Sequence, residues 1–431
     1  MAISTAALAS IIALAIVVII SCVKEMNVGI LGIAFALVVG LTFAKMKIAA
    51  IFAGWPLSLF MILLGVTFMF ACAQVNGTME KFTAYAVRLA KGNTALIPLI
   101  LFVLVSVICT IGPGNIATTA LMAPVAMAIA GRIGLPAFAM TLLVVGAANG
   151  AAFSPFAPTG IISNGIIAKM APQLGITDLS GLAWKVHFNS ELVQGTVTVI
   201  GFLIFGGLAW IRRQSGGAGV NIDEIAPKPE PFTTKQWVTL AGIAFLVLTV
   251  ILLKWDVGAT AFGIGAVFML FGIADDAKAV KAMPWGVIVM VCGMSVLIDV
   301  MDKAGGLKAL VSLIGAISNP TTINGVLGFI TGLISAYSSS SGVVMPMFLP
   351  MVPGLIQEVG GGNPIAMISS INIGSHLVDT SPLSTLGALC IACAAEHEDK
   401  AKLFRNLLIW GLAMSVVGAA LCYVVFGLLG L

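Results

Sequence analysis

The sequence predicts an all-α polytopic membrane protein built as an inverted repeat, each copy holding five spans and one re-entrant hairpin. Three observations carry that prediction. Of the 431 residues, 60% are hydrophobic and only 9% charged, whereas a soluble surface needs roughly a quarter. The 48 glycines and 18 prolines include clusters that interrupt apolar runs, so some helices are broken in mid-course. The clusters of the first half recur in the second at a nearly constant offset, as a duplicated unit requires. With 21 Lys+Arg against 17 Asp+Glu spread thinly along the chain, no basic patch can track phosphates, which excludes a nucleic-acid partner.

Apolar runs able to cross a bilayer, about 17–25 residues each, fall at 3–22, 27–43, 57–76, 135–169 and 183–211. A second set falls at 237–253, 257–273, 284–301, 364–396 and 403–430. The first run lacks a basic leader and a small-residue cleavage site, so it reads as a span and not a removed signal. Between the runs sit 94–131 and 322–357, each split by a Gly/Ser/Pro cluster into two arms of roughly 16 residues. Sixteen helical residues reach about 24 Å, short of the ~30 Å hydrocarbon core. Two re-entrant hairpins are therefore expected. Residues 212–236 are polar and turn-rich, a linker between a first repeat (1–211) and a second (237–431).

The landmarks of the repeat keep their order. Val28-Gly29 is echoed by Val257-Gly258 at an offset of 229, and Pro56, Gly65 and Gly77 by Pro284, Gly293 and Gly305 at 228. Pro124 returns as Pro350 at 226, and SPFAPTG (154–160) as SPLSTLG (381–387) at 227. An odd number of spans per copy turns the second upside down, the architecture of secondary transporters. Loops on the linker's side collect fourteen of the 21 Lys and Arg, among them Lys24, Lys91, Arg212, Arg213 and Lys400. The positive-inside bias makes that side cytoplasmic and leaves both termini outside. The expected location is the inner (plasma) membrane, crossed many times.

Four polar interruptions could bind something. The first hairpin turns at TIGPGNIATT (110–119), where Gly112, Pro113 and Gly114 stop one helix while Asn115, Thr118 and Thr119 open the next. A helix starting there presents unpaired N–H groups and a partial positive charge suited to a carboxylate. The second turns at AYSSSSG (336–342), where Ser338, Ser339, Ser340 and Ser341 offer hydroxyls without fixed charge. The spans that follow are interrupted near Asn149, Ser154, Thr159 and near His376, Asp379, Ser381, Thr385. Unwound carbonyls there can hold a small cation while the next half-helix faces an anion. Asp379 is the sharpest single residue, because an ionisable group deep in an apolar run is costly and functional by default. His376, three residues earlier, shares its face if the turn persists. Glu191 and Asn189 are expected near the exterior interface with a packing or solvated role, and Asp299 and Asp302 as caps. Cys390 and Cys393 form a lone CxxC and are expected to pack.

Together these residues resemble the ion transporter superfamily and, within it, the malonate and dicarboxylate carriers. The resemblance covers nearly the whole chain and rests on two hairpins, each followed by a span with a Pro/Gly-rich break. In the related divalent anion–sodium symporters the tips carry Ser-Asn-Thr and the breaks Gly-Thr-Pro-Pro-Asn. Here the tips read Gly114-Asn115-Ile116 and Ser340-Ser341-Gly342. The resemblance implies a homodimeric, elevator-type carrier, with hairpins and broken spans sliding against a dimerising scaffold. Cations would bind near the tips and a dianion between them. The dianion is assigned to Asn115, Thr118, Thr159, Ser340, Ser341, Ser381 and Thr385. The cation is assigned to Gly112, Asn115, Asn149, Ser154, Ser338, Ser339, His376 and Asp379.

The expectation is a secondary active transporter for a small dicarboxylate, malonate or a C4 acid, coupled to sodium or protons. No cofactor is expected, and no metal beyond a bound sodium ion. An anion channel, or a carrier for another small organic anion, are the alternatives with the same fold. An enzyme is not expected: the run 397–401, HEDKA, misses the HExxH spacing.

Overall fold

The structure, a computed structural model, describes residues 4–23, 26–88, 94–214 and 228–430. Lys24, Lys91 and residues 215–227 of the expected linker lie outside them. Among the described residues the chain is helical and without strands. Seven helices are long and apolar enough to cross a membrane, and seven shorter apolar ones accompany them, which makes this a polytopic membrane protein.

The first half runs α1 (Thr5–Val23), α2 (Val28–Phe43), α3 (Ile48–Phe52), α4 (Leu57–Val75), α5 (Thr78–Val87), α6 (Ile97–Ile111), α7 (Gly114–Ile133), α8 (Ala137–Ala151), α9 (Pro158–Met170) and α10 (Gly181–Arg213). The second half presents the same order: α11 (Thr234–Leu253), α12 (Val257–Leu270), α13 (Asp276–Ala282), α14 (Trp285–Lys303), α15 (Gly306–Ala316), α16 (Ile323–Ser335), α17 (Ser340–Glu358), α18 (Pro364–Leu377), α19 (Thr385–Ala392) and α20 (Lys400–Leu428). The short helices α3, α5, α13 and α15 are too brief to stand out in a hydropathy reading.

The hairpin arms differ from the equal lengths expected. The incoming arms α6 and α16 have 15 and 13 residues, the outgoing arms α7 and α17 have 20 and 19. Pro124 sits inside α7 without ending it, and in α17 the helix passes Pro346, Pro350 and Pro353 by shifting locally between π, α and 3₁₀ geometry. Such local adjustment is how a membrane helix tolerates proline.

Two packing groups emerge. In one, α2 crosses α14 and α4 crosses α12. The crossings need glycine: a Cβ on Gly29 would lie 2.3 Å from the Val289 carbonyl oxygen, and one on Gly293 2.1 Å from that of Gly29. At the other crossing a Cβ on Gly65 would lie 2.7 Å from the Gly258 carbonyl oxygen. These are the echoed glycines of the sequence: Gly29 meets Gly293, the echo of Gly65, and Gly65 meets Gly258, the echo of Gly29. Small residues let membrane helices approach this closely. The second group joins hairpins and broken spans: α6 and α10 pack on α8, α16 and α20 on α18, α7 on α19, and α9 on α17. Cys390 is buried in the apolar core as a free thiol, with Cys393 half-buried beside it.

Candidate substrate and ion site

The first tip is a two-residue reversal. Gly112 (φ 148°) and Gly114 (φ 81°) take left-handed backbone angles that other residues avoid. A Cβ on Gly112 would lie 1.9 Å from a ring carbon of Phe70, so α4 seals the turn. In the second tip a Cβ on Gly342 would meet the Met290 sulfur at 2.2 Å, so α14 does the same for α17. Phe70 and Met290 are ordinary apolar residues in their spans, and nothing in the sequence distinguishes them.

Both broken spans fold back in one way. The Gly160 amide donates to the Ala152 carbonyl at 2.9 Å. A Cβ on Gly160 would stand 2.0 Å from the Ser154 carbonyl oxygen, and one on Gly387 2.2 Å from that of Ser381. The half-helices α9 and α19 therefore begin hard against the breaks.

As a result, four helix N-termini meet at one cavity of about 620 Å³: those of α7, α9, α17 and α19. Asn115, Thr159, Ser338, Ser339, Ser340, Ser341, Thr385, Gly112 and Asp379 all line it. Among the described residues none of its lining is Lys or Arg. No side chain caps α7 or α9. By contrast Ser339 accepts from the Gly342 amide at the start of α17, and Ser384 from the Leu386 amide at the start of α19.

Hydrogen bonds tie tips to breaks. The Asn115 side chain donates to the Asn149 amide oxygen at 2.8 Å, and Asn149 donates to the His376 carbonyl at 3.0 Å. Ser341 Oγ lies 3.2 Å from Thr159 Oγ1 and 3.2 Å from His376 Nε2, so one hydroxyl links the second tip to both breaks. His376 Nδ1 sits 3.0 Å from the Asn372 carbonyl, which fixes the ring. Ser340 Oγ is 2.7 and 2.9 Å from the two carboxylate oxygens of Asp379, and 2.6 Å from Ser335 Oγ. One hydroxyl proton cannot serve both oxygens, so Asp379 has room for a further positive ligand.

Some expected residues stand apart. Thr118 is buried one turn behind Asn115, and Ser381 is buried within its break, where its hydroxyl accepts from the Leu383 amide; neither lines the cavity. Ser154 donates to the Thr110 carbonyl at 2.6 Å, pinning the first break to the first tip. Asn149 and His376 lie behind the cavity wall, around a void of about 10 Å³ shared with Gln194 and Thr380. Gln194 donates to the Asn149 carbonyl at 3.3 Å. It was legible as one of three polar residues, Glu191, Gln194 and Thr198, at helical spacing on one face of α10. Of the two roles expected for Glu191 the structure shows the packing one: it accepts from Ser106 at 2.9 Å, because α10 turns this face onto α6 and α8. Asn189 donates to Ser369 at 3.0 Å. Asp299 does not cap a turn but pairs with Lys303 at 2.6 Å.

Residues 4–152 match the family described as dicarboxylate carrier protein MatC N-terminus, in accord with the resemblance to malonate and dicarboxylate carriers. No curated relative matches the sequence. Among solved structures, the YdaH transporter of Alcanivorax borkumensis is similar at 16% identity with a TM-score of 0.55, covering 90% of this chain and 89% of that one. At that identity the likeness concerns the fold. The chain is a polytopic membrane protein whose first third is similar to the N-terminal region of the MatC dicarboxylate carriers.

Proposed function

We propose that the protein is a secondary active transporter that carries malonate or a C4-dicarboxylate together with sodium or a proton. The observation that supports this most is the convergence of four helix N-termini on a cavity with no lining Lys or Arg. Partial positive charges and N–H donors attract a dianion, but they leave most of its charge uncompensated. A co-bound cation at Asp379 supplies the rest, so each ion improves the site for the other.

The two halves act as inverted copies, with the crossed helices α2, α4, α12 and α14 as a scaffold. Hairpins, broken spans, α10 and α20 travel as the moving part of a homodimeric elevator. Between the two groups run few contacts other than those of α4 with α9 and α14 with α17, which suits sliding. The cavity lining passes from the buried Asn115, Ser340 and Asp379 to the exposed Met26, Gln74, Ala282 and Pro284 at helix ends. These four share the linker's side. With that side cytoplasmic in the plasma membrane and the termini outside, the cavity is open inward.

The test is uptake of labelled malonate and succinate by proteoliposomes under imposed sodium or pH gradients. Saturable, gradient-dependent uptake with counterflow exchange is expected. Currents that follow only the electrochemical gradient would make the protein a channel instead, and no carboxylate movement at all would end the reading.

A further inference from the structure

A second carboxylate, on the half-buried Glu191, lies away from the cavity. Glu191 projects from α10 toward α6 and α8, where Oε1 accepts from Ser106 Oγ at 2.9 Å. Oε2 is out of solvent and has no hydrogen-bond partner. Gly150, beside the first break, leaves the space: a Cβ there would stand 3.0 Å from Oε2. One turn along α10, Gln194 holds the Asn149 carbonyl, and Asn149 holds the tip residue Asn115. Glu191 thus lies directly behind the residues that join the first tip to the first break.

A carboxylate with one neutral donor in a low-dielectric interior needs neutralising. A hard cation draws roughly six oxygen ligands, whereas the neighbours recorded at Glu191 are a single hydroxyl and the edge of Gly150. A proton needs only the oxygen it binds. We propose that Glu191 is a proton-binding site of the carrier, separate from Asp379 and linked through Asn149 and Gly150 to the occupancy of the first tip. This rests on the carrier reading above. Other titratable groups on the packed elements are Cys109 on α6, His376 on α18, His187 one turn earlier on α10, and Lys169 at the far end of α9; α8 brings none.

Two measurements on the full chain in lipid test it. Infrared difference spectra taken on raising the pH are expected to show loss of a protonated-carboxyl carbonyl band that Asp379→Asn keeps and Glu191→Gln lacks. In proteoliposomes, the part of malonate uptake driven by a pH gradient is expected to fall about tenfold or more in Glu191→Gln, the size of a coupling between linked sites. Should Glu191→Gln fold poorly, Ser106→Ala keeps the carboxyl and is expected to move the pH at which the band disappears. A band that survives in Glu191→Gln, a pH-gradient response that survives with it, or a band unmoved by Ser106→Ala overturns the proposal. Absence of all carboxylate transport in the wild type would instead overturn the carrier reading, and the infrared arm would still decide whether Glu191 binds a proton.

Discussion

The two tip-and-break pairs occupy equivalent places in their halves but carry different chemistry. In the first, the starts of α7 and α9 have no side-chain cap, and Asn115 bonds Asn149. In the second, Ser339 and Ser384 cap the starts of α17 and α19, and Ser341 bonds His376 at the places of Asn115 and Asn149. At the repeat's offset of 227, Asp379 falls where the first half has Ala152. The carboxylate thus belongs to one half only. On the carrier reading, the half without side-chain N-caps serves the anion and the carboxylate-bearing half the cation.

The largest effect is expected from Asp379→Ala. Losing a buried charged ligand costs about 3–5 kcal/mol, or ~100-fold or more in cation affinity. Malonate uptake should drop to background in proteoliposomes, with the protein still monodisperse in detergent. Cation-dependent uptake that persists would show the halves to be less divided than their side chains imply. Next comes the contrast between the tip residues. Asn115→Ala strands the buried Asn149 oxygen, about 1–3 kcal/mol, and should reduce uptake roughly 10- to 100-fold. Ser341→Ala leaves His376 its Asn372 contact, costs about 1 kcal/mol, and should reduce uptake only a few-fold. Equal losses, measured side by side as initial rates, would erase the distinction. The smallest change sharpens it. Ala157→Ser places a cap where α9 has none; with Pro158 lacking an N–H and the Gly160 amide held by the Ala152 carbonyl, its hydroxyl competes with the carboxylate for the Thr159 N–H. A cap is worth about 1 kcal/mol, so roughly fivefold more malonate should be needed to protect the variant from heat as well as the wild type.

Much of the fold was legible because its signals are local. Apolar runs gave the long helices, and proline with glycine marked where α8 and α18 stop short of α9 and α19. The unequal hairpin arms were not legible, since whether Pro124 ends a helix depends on how its neighbours accommodate the kink. Which of the two roles expected for Glu191 holds was not legible for a related reason: its position along α10 is readable, but the face it turns toward Ser106 is set by packing. The cavity-lining polar residues Asn115, Thr159, Ser340, Ser341 and Asp379 were readable because polar groups stand out in apolar runs. Phe70 and Met290, which seal the tips, look like any lipid-facing residue until a glycine is found against them.

By itself, the amino-acid sequence determined that this chain crosses a membrane, where its helices break, and which polar groups sit at the breaks, since each follows from the cost of polar atoms in hydrocarbon. Tertiary structure alone decided that four helix starts share one cavity, that Ser341 reaches Thr159 from the other half, and that Glu191 meets Gly150. Those facts join residues far apart in the chain, and only the packing of α9 on α17 and of α10 on α8 brings them within contact distance.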